Sequence, residues 1–178
     1  MKRILVITTS LRKNSNSTAL ANAFAKGASE SENKVEIISL IDKSIAFCRG
    51  CLACQHTQKC VIKDDSNEIV EKMKNAGVIA FATPIYYYEM SGQMKTLLDR
   101  ANPLYPSDYK FRDIYFLASA AETEENTMDK AISGLMGWID CFGKAELKGV
   151  IKALGVNDEG DVKNHSSLNE AYEMGKKV

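Results

Sequence analysis

The alternation of short, uninterrupted apolar runs with amphipathic stretches constrains this chain more than any other feature. Residues 3–8 (RILVIT) form a largely β-branched run without polar alternation, the mark of a strand covered on both faces. Residues 34–40 (KVEIISL), 77–82 (GVIAFA), 112–118 (RDIYFLA) and 146–153 read as four further strands, with Pro84 expected to stop the third. Between strands, apolar residues recur at helical spacing: Leu20, Ala23, Phe24 and Ala28 within 17–29, then Met94, Leu97, Leu98 and Ala101 within 91–101. Helices are also expected over 66–75, 124–142 and 166–177. Asp65 is the expected cap of the 66–75 helix, with Glu68 three residues on. Five strands alternating with five helices predict an α/β fold: a doubly wound, five-stranded parallel sheet of order 2-1-3-4-5, with helices on both faces. In such a sheet a ligand sits outside the carboxyl ends of the strands, where the strand order reverses.

Composition narrows the classes. A length of 178 residues fits one domain, taken as 1–178, large enough to bury a core without disulfides. Lys plus Arg and Asp plus Glu number 23 each, so the chain lacks the basic excess of a nucleic-acid binder. Its longest strictly apolar runs are about five residues, against roughly 20 for a membrane span. The start, MKRILVITTS, carries too short an apolar run for a signal peptide. A cytoplasmic protein with neither nucleic-acid nor membrane partners is expected.

Two loops on the carboxyl rim carry chemistry. Ser10 to Thr18 (SLRKNSNST) joins the first strand to its helix without a glycine, so it is neither a P-loop nor a dinucleotide fingerprint. It offers hydroxyls, amides, two cations and the unpaired N–H groups of a helix start, which suit a phosphate. The plainer alternative is that Ser17 or Thr18 merely caps the helix. Thr83 to Gly92 (TPIYYYEMSG) follows the third strand and holds three tyrosines. They either line a flat heteroaromatic ring, against backbone stiffened by Pro84, or pack on neighbouring loops or a partner subunit. A phosphate loop beside an aromatic loop describes a mononucleotide with a large ring, and flavin mononucleotide (FMN) is the obvious candidate.

SLRKNSNST, TPIYYYEMSGQMKTLLDR and GVNDEGD, in that order, resemble the NAD(P)H-dependent FMN reductase family of flavodoxin-like proteins. The resemblance implies that Ser10, Arg12, Asn16, Ser17 and Thr18 hold the FMN phosphate. It places Pro84, Ile85, Tyr86 and Tyr87 along the isoalloxazine ring. A third flavin-side loop would follow the fourth strand at Ser119, Ala120, Ala121 and Glu122, with Ser119 as a cofactor contact. That loop has none of the glycines common in the family, and Thr9 and Leu11 stand where glycine and proline are common.

Cys48, Cys51, Cys54 and Cys60 have the spacing C-x2-C-x2-C-x5-C. Three readings stand open: ligation of a [4Fe-4S] cluster, a zinc site, or reduced thiols without metal. His56 is a spare ligand, and Cys141, on the 124–142 helix, is expected to be a small core residue. The spacing is similar to that of the iron–sulfur flavoprotein branch of the same group, which implies a cluster beside FMN. The family further implies NAD(P)H as co-substrate, a small-molecule or protein electron acceptor, and a homodimer or tetramer. In such a reductase the cofactor carries the hydride chemistry, so no catalytic side chain is nominated. The alternative function is an iron–sulfur flavoprotein electron carrier.

Overall fold

The computed structural model describes residues 1–178. In chain order its elements are β1 (Arg3–Thr8), α1 (Asn16–Glu30), β2 (Lys34–Ser39), α2 (Ala53–Thr57), α3 (Ser66–Asn75), β3 (Val78–Tyr86), β4 (Glu89–Met90), α4 (Gly92–Arg100), β5 (Asp113–Ser119), α5 (Asp129–Ile139), β6 (Glu146–Ala153) and α6 (Ser166–Lys176). The five long strands lie parallel in the order β2-β1-β3-β5-β6. Setting aside β4, a two-residue strand antiparallel to β3, this is the flavodoxin-like order read from the sequence.

The uninterrupted apolar runs are explained by two separate cores. Leu5, Ile7, Ile79, Phe81, Ile114 and Phe116 face the side covered by α3, α4 and α5. Ile4, Val6, Val78, Ala80, Ala82 and Leu117 face the other side, against Leu20, Phe24 and Ala28 of α1 and Ala171 of α6. The central strands β1, β3 and β5 therefore bury both sets of alternating side chains, as central parallel strands do, while the edge strands β2 and β6 stay largely exposed or half-buried. On the second face α1 and α6 meet at two glycines. A Cβ on Gly27 would lie 2.1 Å from the Tyr172 carbonyl oxygen, and one on Gly175 would lie 2.1 Å from that of Phe24. No other residue permits that backbone approach.

Several local expectations are corrected. Strand β3 does not stop at Pro84 but runs through it to Tyr86, with Pro84 opposite Ser119 of β5. Strand β1 ends at Thr8, opposite Ala82. At Pro84, β3 thus has a long neighbour on one side only, the edge-like setting in which proline is tolerated. Helix α5 begins at Asp129 rather than at 124 and ends at Ile139, and Cys141 beyond it is exposed, not part of the core. Asp65 makes no capping bond to α3. Its neighbour Asp64 does so instead, accepting from Ser66 N (3.1 Å) and Ser66 Oγ (2.7 Å), while Asp65 accepts from Ser44 N (2.7 Å). No helix is long and apolar enough to cross a membrane.

Candidate functional site

The β1–α1 loop is built around Ser15, the N-cap of α1, which accepts a hydrogen bond from Thr18 N (3.2 Å). Asn14 just before it adopts a left-handed backbone (φ 54°) that turns the chain into the helix. A helix start leaves its first N–H groups without intrahelical acceptors. The N–H groups of Lys13, Asn14, Ser15, Asn16 and Ser17 all lack a protein acceptor. Ser15, Asn16 and Ser17 are nonetheless buried, at 8%, 6% and 0% exposure. Donors without partners in buried residues are costly, and a row of them at a helix start is suited to an acceptor-rich anion. Ser10, also buried, accepts from Arg12 N (3.2 Å) and shapes the turn before the row. Thr9, where the family commonly has glycine, ties this loop to Ala82 O (3.2 Å) and to Ser91 Oγ (3.0 Å), the N-cap of α4.

The row opens into a cleft of about 640 Å3 at the carboxyl ends of β1, β3, β5 and β6. Ser10, Arg12 and Asn16 line one end, Pro84, Ile85 and Tyr86 a side wall, and Ser119 with Ala120 and Ala121 another wall. Three nominated residues lie outside this lining. Ser17 is fully buried beneath it, its Oγ 3.3 Å from Ser15 Oγ. Thr18 lines an adjoining polar pocket of about 370 Å3, and Tyr87 is 98% exposed at a hairpin tip. A further cavity of about 440 Å3 lies away from the cleft, along β1, β2 and α3. Its Lys72 is paired with Glu36 (2.7 Å) and Glu68 (2.8 Å).

A fourth wall escaped the sequence reading of individual residues, although it lies within GVNDEGD. Val156 to Glu159, after β6, line the cleft beside the β1–α1 loop. Arg12 Nη1 donates to the Asn157 carbonyl (3.2 Å), Asn16 Nδ2 to that of Asp158 (3.0 Å), and Asn14 Nδ2 to Glu159 Oε1 (2.9 Å). Asp161 holds the loop's shape by accepting from the N–H groups of Asn157 (2.9 Å) and Asp158 (2.7 Å). Asn157, Asp158 and Gly160 within four residues after the final strand are a turn signal on the correct rim.

The aromatic wall is a two-residue hairpin. Ile85 pairs with Met90 and Tyr86 with Glu89, leaving Tyr87 and Tyr88 as the turn. Both turn residues are left-handed, at φ 51° and 66°, as a type I′ turn demands and as Asn-Gly supplies without strain. Tyr88 is half-exposed, with Lys130 Nζ 5.6 Å from its ring centroid.

The cysteines occupy the long loop between β2 and α3. Its entry and exit are held by one buried side chain: Arg100 Nη1 donates to Ala46 O (2.7 Å) and Nη2 to Ile62 O (3.2 Å). The same guanidinium grips Asp64 through both nitrogens, at 2.6 and 3.0 Å. Burial pushes the Asp64 carboxyl upward, but Arg100 together with Ala46 and Ser66 outweighs it and holds the group down at about 2. Within the loop, Cys48 and Cys51 are exposed, Cys60 is half-buried, and Cys54 is buried with its Sγ accepting from Asn102 Nδ2 (3.1 Å). Leu52 and Gln58, both left-handed, bracket the short α2 that turns Cys54 inward. No group of three or more His, Cys, Asp or Glu side chains converges as a metal site.

The cleft does fit FMN. Its unpaired N–H groups match a dianionic phosphate, and a few hundred cubic ångströms with Pro84, Ile85, Tyr86, Ala120 and Ala121 among a mostly polar lining suits a flat ring with polar edges. A family model described as NADPH-dependent FMN reductase matches residues 2–143. The chain is 38% identical over 102 residues to an iron-sulfur flavoprotein of Methanocaldococcus jannaschii, covering 57% of this chain and 53% of that one. It is 29% identical over 142 residues to an iron-sulfur flavoprotein of Methanosarcina thermophila, covering 79% and 74%. The chain thus spans about half the length of the first of these curated relatives. The NAD(P)H:quinone oxidoreductase from Methanothermobacter marburgensis superposes with a TM-score of 0.76 at 19% identity, covering 99% and 95% of the two chains. An FMN-dependent NADH-azoreductase from Bacillus anthracis in complex with FMN does so with 0.72 at 14% identity, covering 98% of each. At these identities the two solved structures establish the shared fold alone.

Proposed function

This chain belongs to the NADPH-dependent FMN reductase family, and on that premise we propose that it is an oxidoreductase taking electrons from NAD(P)H through FMN to a small-molecule or protein acceptor. The observation that carries the proposal is the row of five acceptorless N–H groups, from Lys13 to Ser17, opening into a cleft with an aromatic and aliphatic wall.

Bound FMN would supply the redox chemistry, accepting a hydride from NAD(P)H and yielding two electrons to the acceptor. The protein's share is to bind, orient and exclude water. Ser10, Arg12, Asn16 and the α1 start would hold the phosphate, with Ser17 and Thr18 supporting them from beneath and beside. Arg12 makes one side-chain hydrogen bond, to Asn157 O, which leaves its other N–H groups available to an anion. Pro84, Ile85 and Tyr86 would lie along the ring, with Ser119 across from them. Tyr87, at the tip, is placed to meet whatever approaches the cleft from solvent. No side chain is assigned a proton transfer, because hydride transfer to a flavin needs none.

The test is a titration of the purified apoprotein with FMN and with riboflavin, followed by NAD(P)H oxidation with free flavin or a quinone as acceptor. Tight FMN binding with sustained turnover is the expected result. Absence of FMN binding, or binding without any NAD(P)H oxidation, sinks the reading.

A second reading, an electron carrier with a [4Fe-4S] cluster, is favoured by the cysteine spacing and by the names of the archaeal relatives. Iron and sulfide assays on anaerobically purified protein decide it: stoichiometric iron supports the carrier, and its absence leaves the reductase. The homodimer or tetramer and the cytoplasmic setting remain part of the proposal, with exposed Phe47, Leu52 and Tyr87 as surfaces a second copy would cover.

A further inference from the structure

The phosphate end of the cleft is not a closed wall but a partition between two cavities. The flavin cleft and the polar pocket of about 370 Å3 share Asn14, Ser15, Asn16 and Glu159. On the far side the polar pocket is lined by Thr18, Asn22, Gly160 and Lys163 among others. The partition is fastened at one point by a single side-chain pair, Asn14 Nδ2 donating to Glu159 Oε1 at 2.9 Å. Asn14 belongs to the loop after β1 and Glu159 to the loop after β6, so the bond spans 145 residues of sequence and bridges two rim loops. Left-handed backbone stands at or next to each end of the bond: Asn14 has a φ of 54° and Gly160, which follows Glu159, a φ of 90°.

We propose that the Asn14–Glu159 pair is the specificity latch that restricts this site to a flavin mononucleotide and rejects a flavin dinucleotide. The proposal rests on the flavin reading above. A phosphate seated on the N–H row of Lys13 to Ser17 lies beside the partition, because Asn14, Ser15 and Asn16 of that row line both cavities. A mononucleotide ends at that phosphate. A dinucleotide must carry a second phosphate and an adenosine onward, and the polar pocket, with Lys163 and Asn22 on its walls, is the adjoining space that could take them. The latch obstructs that route in two ways. The hydrogen-bonded side chains, both solvent-exposed, stand across that route, and the Glu159 carboxylate would face the incoming second phosphate with like charge, which is unfavourable at short range. Asn16 is not part of the latch. Its amide bonds Asp158 O and Val162 N keep the loop after β6 in place whether or not the latch is closed.

The test compares dissociation constants for FMN and FAD, by flavin fluorescence, in the unaltered protein and in Glu159→Ala and Asn14→Gly. Glycine suits the left-handed backbone at position 14, so that variant opens the latch without adding strain. The ratio of the FAD constant to the FMN constant is expected to be at least about a hundred in the unaltered protein. It should fall at least tenfold in each variant, while FMN binding reports that the site is still formed. A ratio that stays within threefold of the unaltered value in either variant overturns the latch. Failure of the unaltered protein to bind FMN overturns the flavin reading itself, a result distinct from an unchanged ratio.

Discussion

Arg100 and Asp64 form a two-pronged ion pair under the cysteine loop, Nη1 to Oδ2 at 2.6 Å and Nη2 to Oδ1 at 3.0 Å, with side chains 0% and 10% exposed. The pair is structural glue for a long irregular segment, since the guanidinium also holds Ala46 and Ile62, where that segment leaves and rejoins the fold. Removing one partner strands a buried charge, which costs about 3–5 kcal/mol. Asp64→Asn should therefore lower the stability measured by urea unfolding by that order. A loss below about 1 kcal/mol would show that water reaches the guanidinium and that the loop is held by other contacts.

The same pair sets an acid limit. The Asp64 carboxyl is depressed from 3.8 to about 2, so the native state holds its proton more weakly than the unfolded chain does. Its stabilising contribution is complete above the unfolded value and drains away as pH falls from about 3.8 through about 2. Unfolding free energy measured across that window should drop more steeply in the unaltered protein than in Asp64→Asn. Parallel curves would assign the acid sensitivity to other carboxylates.

Arg12 offers a contrast between phosphate and ring contributions. Hydrogen bonds to charged groups are worth roughly 1.5–3 kcal/mol, so Arg12→Ala should weaken FMN by about tenfold or more. Riboflavin, which lacks the phosphate, should change less than twofold. Equal losses for the two ligands would mean that Arg12 acts only through Asn157 O and the loop after β6.

The strands were legible because a strand buried on both faces must be apolar at successive positions, and RILVIT and VIAFA have no other use in a protein this size. The chemistry of the first rim loop was legible for a related reason: hydroxyls and amides before an apolar helix imply a capped start with spare donors. The wall from Val156 to Glu159 was harder to read, because Arg12 and Asn16 hold it through the carbonyls of Asn157 and Asp158. Backbone acceptors leave no residue signature. Asp64 and Asp65 are chemically identical neighbours, and only the buried Arg100 decides which one is drawn inward. Cys141 follows the end of α5 by two residues, so a helix read as reaching 142 put it on the wrong surface. The directions of the four thiols were not legible from their spacing, because they depend on left-handed backbone at Leu52 and Gln58, residue types that give no warning of it.

At the α1–α6 crossing, Gly27→Ala would drive a methyl group to 2.1 Å from the Tyr172 carbonyl oxygen. Backbone on both sides cannot yield as a side chain could, so the helices must separate and expose Leu20, Phe24 and Ala171. Overpacking of this kind costs typically 1–3 kcal/mol and more where backbone must move, so a loss of about 3 kcal/mol is expected in thermal or urea unfolding. Unchanged stability would require α6 to shift at no cost.

The Tyr87–Tyr88 turn separates stability from function. Each non-glycine residue in the left-handed region costs roughly 1–2 kcal/mol, and Asn-Gly adopts the same turn with little strain. Tyr87 is 98% exposed, so its ring repays none of that cost by burial in this chain. Replacing Tyr87-Tyr88 with Asn-Gly should therefore raise the unfolding free energy by about 2–4 kcal/mol, less whatever Tyr88 gains from Lys130. A turn that is locally unfavourable, beside the cleft, is retained more readily if its rings meet something outside the isolated chain. The double variant should accordingly lose kcat/KM for NAD(P)H oxidation, or shift the sedimentation coefficient toward a smaller species, while melting higher. A variant that melts lower would show that the tyrosines stabilise the hairpin. One that melts higher with unchanged kinetics and size would leave the strain without a role at the cleft.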